Sequence, residues 1–167
     1  MIFGTQRLEV KHLSMDNLKD FHRIYGDKDV MGKIPMSVFR LEESKAELLA
    51  IIEAYGVVNH RLRVWGVFVR HNHDMIGVCA SIGVSEDSRD IGYRIVKEYW
   101  RQGFATELVD GFINYLRKDR SIQFLTAEVD KYNIASIKIL GKTMMFLKES
   151  YDGETGRYQY HYRLDLK

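Results

Sequence analysis

The stretch Tyr99–Glu107, YWRQGFATE, decides the fold. It stands between a β-patterned run, DIGYRIV (90–96), and a helical one, FATELVDGFINYLRK (104–118). Two aromatics, an Arg-Gln pair, Gly103 and the small Ala105 lead straight into the helix. A helix start exposes unpaired backbone N–H groups and carries about half a positive charge. Glycine there lets a ligand approach the main chain. Together these features favour an anion such as a diphosphate. No Gly-Lys-Ser/Thr follows, and Gly-x-Gly-x-x-Gly is absent, so neither common nucleotide-loop signature is met. Taken alone, RQGFA fits a plain glycine turn better than a ligand loop.

Working outward, the flanks organise around this stretch. Upstream, LRVWGVFVR (62–70), MIGVCASIGV (75–84) and DIGYRIV (90–96) are three strands separated by the turn sequences HNHD and SEDSR, so an antiparallel meander is expected. Downstream, Leu108, Phe112, Ile113 and Leu116 share one helix face, and IQFLTAEVD (122–130) is a buried strand. A strand–helix–strand crossover predicts that 91–96 and 124–129 run parallel. Nearer the N-terminus, RLEVKHL (7–13) is a short strand. SMDNLKDFHRIYGD (14–27) is a helix capped by Ser14, KDVMGKIPMSVF (28–39) a loop, and RLEESKAELLAIIEAYG (40–56) a second amphipathic helix. NIASIKILGKTM (133–144) is a helix with Asn133 as N-cap. FLKESYD and GRYQYHYRLDL close the chain as two strands around DGETG. The expected order, β-α-α-β-β-β-α-β-α-β-β, is that of a mixed α/β sheet in one domain, 1–167.

Bulk properties narrow the function. The chain has 167 residues, 46% hydrophobic and 29% charged, which is an ordinary globular balance. Its net charge of +2 gives no electrostatic case for nucleic acid or an anionic membrane. No apolar run reaches the roughly 18–20 residues of a bilayer span, and the N-terminus lacks the pattern of a signal peptide. With Cys79 as the single cysteine, set in the apolar run IGVCASIGV, a cytoplasmic protein is expected and Cys79 reads as a small core residue. His71 and His73 flank Asn72 in a turn with no third ligand nearby, so no metal is expected.

Asn133 and Ser136, three apart, can face one groove at the start of the last helix, although a helix cap with a surface serine explains the pair equally simply. TQRLEVKHLSMDNLKDFHRIYGDKDVM, DIGYRIVKEYWRQGFATEL and VDKYNIASIKILGK resemble, in order and over nearly the whole chain, the GNAT N-acetyltransferase superfamily and within it the ribosomal-protein N-terminal acetyltransferase-like subgroup. The most specific block is GY…YW..G[YF]ATE followed about thirty residues later by N..S.

The resemblance implies a single mixed sheet of about six to seven strands with helices on both faces, the fourth and fifth strands being parallel and splayed. It implies acetyl-CoA as cosubstrate, a primary amine as acceptor, no metal, and a monomer or homodimer. By position, Arg101, Gln102, Gly103, Phe104, Ala105 and Thr106 would surround the pyrophosphate, mainly through backbone N–H groups. Tyr93 and Ile95 would offer strand backbone to the pantetheine arm, which Asn133 would also hydrogen-bond. Ser136 would lie near the thioester sulfur as proton donor or hydrogen-bond partner. Asp90, where relatives often carry an acid, would accept the amine proton through water, its plain reading being a solvated turn carboxylate. The helix tyrosine used by many members is replaced by Leu140, and the ending LGKTMMF departs from the family pattern at Gly141 and Met144. The acceptor pocket is expected from 26–39 and the hairpin 151–160, with Met31, Met36, Phe39, Tyr151, Tyr158 and Tyr160 as walls. The competing readings are a non-catalytic acyl-CoA-binding module on the same fold and a protein that binds ATP at the same helix start.

Overall fold

A computed structural model describes residues 1–32, 34 and 36–167; Lys33 and Pro35, in the expected loop, lie outside the described residues. The period-two runs become strands: β2 (Leu8–Lys11), β3 (Leu62–Val69), β4 (Met75–Ser85), β5 (Ser88–Ile95), β6 (Phe124–Asp130), β7 (Met145–Asp152) and β8 (Arg157–Asp165). An eighth, β1 (Phe3–Gly4), precedes them and pairs antiparallel with β2. Two residues are too few to show a period, so the expected six to seven strands become eight. The spatial order is β1-β2-β3-β4-β5-β6-β8-β7.

The helices are α1 (Leu18–Tyr25), α2 (Lys28–Met31), α3 (Leu41–Ala54), α4 (Phe104–Leu116) and α5 (Ile134–Leu140). Three differ from expectation. Ser14 heads a 3-10 turn, Met15–Asn17, before α1 begins. The segment read as loop contains α2, whose N-cap Asp27 accepts hydrogen bonds from the N–H groups of Asp29 (2.7 Å) and Val30 (3.4 Å). Four residues carry no helical period, so only the cap could have announced it. α5 stops at Leu140 rather than Met144, with Gly141 as C-cap at φ −64°, and Met144 is buried, its N–H bonded to Leu140 O at 2.8 Å.

The core is continuous across the sheet. Phe21 and Ile24 of α1, Leu48 of α3, and Leu108 and Phe112 of α4 are fully or almost fully buried against Leu8, Val10, Val67, Ile76 and Leu125 of the strands. Cys79 is fully buried, and burial drives its thiol pKa far above the ordinary range, so it is an inert packing residue.

The feature that positions the site is a fork. β5 pairs with β4 antiparallel along its whole length, Ser85↔Ser88 to Gly77↔Ile95. It pairs with β6 in parallel at only three positions, Ser88↔Phe124, Arg89↔Leu125 and Asp90↔Thr126. β6 remains paired with β8 as far as Asp130↔Gln159. Beyond Asp90 and Thr126 the two parallel strands therefore part. The polar edges exposed in the gap need another partner, since buried backbone groups are almost always paired. Strand alternation places Asp90, Gly92 and Arg94 on one face and Ile91, Tyr93 and Ile95 on the other. The first face carries α1, because the Arg94 guanidinium lies over the Tyr25 ring at 4.6 Å. The second carries α5, because Tyr93 and Ser136 adjoin.

Candidate active site

The loop between β5 and α4 makes its turn with two left-handed residues, Arg101 (φ +60°) and Gly103 (φ +81°). Gly103 is the N-cap of α4 and no side chain caps the helix. The helical ladder begins with Glu107 N–H to Gly103 O at 3.0 Å, so the N–H groups of Phe104, Ala105 and Thr106 precede it. A side chain at 103 would be strained by φ alone, and its Cβ would come within 3.3 Å of Arg7 Nη2.

The sequence did not reveal what holds this loop. Glu107, the glutamate of FATE, ties α4 to the turn between β1 and β2. It accepts from Thr5 Oγ1 (2.5 Å), Arg7 N (2.7 Å) and Arg7 Nε (2.6 Å). Arg7 also donates to Gln102 O at 3.0 Å and lies over the Phe104 ring at 4.2 Å. Burial would raise the Glu107 pKa, but the bonds from Thr5 and Arg7 outweigh it and hold the carboxyl below its ordinary value. Tyr99 Oη donates to Asp74 at 2.9 Å and Trp100 Nε1 to Ile95 O at 2.7 Å, so both aromatics fix the loop's entry.

A cleft of about 520 Å³ opens at the fork. Of the sequence-derived donor-site residues, Tyr93, Ile95, Arg101, Gly103, Phe104, Ala105, Thr106, Asn133 and Ser136 line it. Gln102 does not: its side chain folds back to donate to Glu98 O at 2.8 Å, and its carbonyl is engaged by Arg7. The Ile95 carbonyl is likewise engaged by the Trp100 indole. Asn133 is the N-cap of α5, accepting from Ser136 N at 3.3 Å. The Tyr93 hydroxyl is buried, and among the described residues none makes a well-formed hydrogen bond to it, although the Ser136 side chain adjoins it. Burial pushes its pKa up to about 12, and the adjacent Ser136 side chain pulls against that rise. Val30 and Ile34, which the sequence did not flag, line the cleft from the α2 side, while Ile134 and Ile139 line it from α5. The cleft thus passes through the sheet between the parted strands.

The acetyltransferase (GNAT) domain family matches residues 7–145 of the chain. The chain belongs to the GNAT acetyltransferase family. The Bacillus subtilis (strain 168) uncharacterized N-acetyltransferase YoaA is 30% identical over 152 residues, 89% of this chain and 84% of that protein. The Bacillus licheniformis uncharacterized N-acetyltransferase p20 is 23% identical over 147 residues, 87% and 82% of the two chains. Among solved structures, a GNAT-family acetyltransferase from Bacillus anthracis superposes with TM-score 0.87 at 19% identity, covering 98% of each chain. The ribosomal L7/L12 α-N-protein acetyltransferase RimL, in complex with coenzyme A, gives TM-score 0.81 at 14% identity, covering 98% of this chain and 97% of that one. A spermidine N-acetyltransferase from Vibrio cholerae, in complex with CoA and spermine, gives 0.81 at 14% identity, covering 96% of each. This GNAT chain is an N-acetyltransferase, and its overall fold is the one it shares with those structures.

On the α1 face of this GNAT, Asp90 sits at the closed end of the fork, opposite Thr126, and is not among the cleft-lining residues. Burial raises its pKa from 3.8 to about 6; the Thr126 hydroxyl, donating at 2.8 Å, opposes the rise, and the nearby Glu128 carboxylate adds to it. It is therefore not the freely solvated turn carboxylate of the plain sequence reading. At the open end, buried Asp130 accepts from Arg157 Nη1 (3.0 Å) and Tyr132 N (2.8 Å), and Arg157 also donates to Gly32 O at 3.2 Å. Lys97 bonds Asp29 of α2 at 2.5 Å. These contacts seat α2 beside the mouth. The six residues expected as acceptor walls do not line the cleft. Met31 is fully buried in the core, Phe39 packs on Tyr25, and Tyr151 and Tyr158 pack on each other. Tyr158 and Tyr160 alternate with Arg157, Gln159 and His161, which puts them on the face opposite Arg94. No helix of the described residues is long and apolar enough to cross a membrane.

Proposed function

We propose that this chain, as one catalytic domain spanning 1–167, transfers the acetyl group of acetyl-CoA to a primary amine by direct attack inside the fork, and that it works in the cytoplasm. The observation that carries the reading is the cleft running from the uncapped N-terminus of α4 through the gap between β5 and β6. The fit to the donor is chemical. The N–H groups at residues 103–106 and the α4 dipole suit a pyrophosphate. The unpaired edge of β5 suits the amides of a pantetheine arm, which pairs as an added strand would. The Asn133 side-chain amide stands at the far wall of the cleft.

The amine nitrogen forms the new C–N bond, the C–S bond breaks, and the nitrogen proton must leave while the thiolate gains one. Asp90, ionised above about pH 6, takes the amine proton through water from the closed end of the fork. Ser136, with the buried Tyr93 hydroxyl beside it, faces the leaving sulfur. A backbone N–H near Tyr93 polarises the thioester carbonyl. Primary amines of both a ribosomal protein and spermidine are named for the structural neighbours, which fits an amine acceptor without choosing between them. The test is release of free thiol from acetyl-CoA across a panel of amines. Turnover with at least one amine is expected; tight CoA binding with no turnover on any amine would overturn the reading.

A further inference from the structure

We propose that the mouth of the cleft on the α1 face recognises the acceptor by a carboxylate, with Arg94 as the binding residue, so that the acceptor is a small amino acid carrying its amine and its carboxylate in one molecule. This rests on the acetyl-transfer reading above. Arg94 lines the same cleft as Ser136 but enters from the opposite face of the sheet. Its guanidinium carbon lies 4.6 Å from the centroid of the Tyr25 ring. A guanidinium carries five N–H donors in a planar fork, which suits a planar oxyanion. It donates to a weak acceptor, Met36 Sδ at 3.2 Å, and adjoins the Tyr25 hydroxyl, and among the described residues no carboxylate forms an ion pair with it.

Two acids beside the mouth are already paired, Asp130 with Arg157 at 3.0 Å and Asp29 with Lys97 at 2.5 Å. Glu128 lies 3.2 Å from the His161 ring, and Glu47 acts on the Tyr25 hydroxyl. The mouth therefore presents a partly buried cation that no carboxylate among the described residues is ion-paired with, which favours an incoming carboxylate. There is room for the ligand between this cation and the candidate base. Gly92 lies midway between Asp90 and Arg94 on the same face, and a Cβ added there would meet nothing within 4 Å. An ammonium placed toward Asp90 and a carboxylate toward Arg94 satisfies both ends.

The experiment compares thiol release from acetyl-CoA with free amino acids, their α-carboxamides, spermidine and a short peptide with an N-terminal serine. A series of glycine, β-alanine and γ-aminobutyrate reads the amine-to-carboxylate distance. Wild type is expected to favour at least one amino acid over its carboxamide by tenfold or more in kcat/KM. Arg94→Met, which keeps the stem and the bulk, should collapse that ratio by tenfold or more, mainly through KM. A ratio unchanged in Arg94→Met overturns the proposal, as does spermidine, the peptide or a carboxamide serving as well as every amino acid; in each case acetyl transfer itself survives. If no amine turns over, the same amino acids are titrated into CoA-loaded protein by calorimetry. Binding that Arg94→Met abolishes upholds the carboxylate site while transfer fails, and absence of binding overturns both.

Discussion

Asp90→Asn should make the protein more stable at neutral pH and almost inactive. The Asp90 carboxyl titrates at about 6 in the fold, against 3.8 for an unperturbed aspartate, with burial as the chief cause. The gap corresponds to about 3 kcal/mol of differential stability between the protonated and ionised forms. The sign follows from which state holds the proton. Below pH 3.8 both folded and unfolded chains are protonated at this site and the penalty is absent. Between 3.8 and about 6 the unfolded chain releases the proton first, so stability falls as pH rises. Above about 6 both are ionised and the full penalty applies.

Asparagine keeps the shape and still accepts the Thr126 hydroxyl through Oδ1, while losing the charge and its repulsion with Glu128. Because Asp90 is only partly buried, water recovers some of the penalty, leaving a gain of about 2 kcal/mol at pH 7.5. For a chain of this size that is a rise of about 4–8 °C in Tm. Urea unfolding at pH 7.5 and pH 4 measures it: the variant should be the more stable at pH 7.5 and close to wild type at pH 4. In the same variant kcat/KM for the amine should fall by about 10²–10⁴ and lose its limb near pH 6. A variant no more stable than wild type at pH 7.5, or equally stabilised at both pH values, would refute the burial argument. Unaltered activity would remove Asp90 as the base.

Gly103→Val forces a β-branched residue to φ +81° and should raise KM for acetyl-CoA tenfold or more while costing about 1–2 kcal/mol of stability; an unchanged KM would remove the α4 N-terminus from the donor site. Glu107→Ala deprives Thr5 and Arg7 of their shared acceptor, so a stability loss of about 1–3 kcal/mol by urea unfolding and a weaker CoA thermal shift are expected. Tyr93→Phe removes a buried hydroxyl that no described residue bonds in good geometry, and should stabilise the ligand-free protein by about 1 kcal/mol while lowering kcat. Ser136→Ala should lower kcat about tenfold with little effect on KM for acetyl-CoA, and loss confined to KM would make Ser136 a donor-binding residue only.

The parts of the candidate site legible in sequence are those built from exposed backbone. Gly103, Ala105 and the helix that follows announce an open N-terminus because the requirement is for absent side chains, and absence is visible as small residues at fixed spacing. The crossover from 90–96 to 122–130 is equally visible, since a buried strand, an amphipathic helix and another buried strand admit one handedness and one direction. The clamp that holds the loop was invisible. Arg7 and Glu107 are 100 residues apart, and nothing local distinguishes their exchange of hydrogen bonds from two surface charges. Likewise β1 and α2 are too short to carry a period, and α5 was overrun because the polarity of GKT does not mark the exit that Gly141 makes.

The expected acceptor walls do not line the cleft for a different reason, and that reason bears on function. Of Met31, Met36, Phe39, Tyr151, Tyr158 and Tyr160, Met31 is in the core, Phe39 packs on Tyr25, Tyr151 and Tyr158 on each other and Tyr160 on Phe146, while Met36 meets Arg94. What faces the mouth instead is charge, and sequence cannot show which charges are neutralised. Arg157, Lys97 and Arg94 look alike in a list of cations. Only the fold shows that the first two are matched to Asp130 and Asp29, whereas Arg94 lies against the Tyr25 ring with no carboxylate among the described residues ion-paired to it. A guanidinium costs free energy to withdraw from water, and among the described residues no carboxylate is ion-paired with Arg94 to offset that cost. The proposed reading puts donor recognition in the main chain and acceptor recognition at Arg94. Substitutions at Arg94 should accordingly change which amine is acetylated before they change whether acetyl-CoA binds.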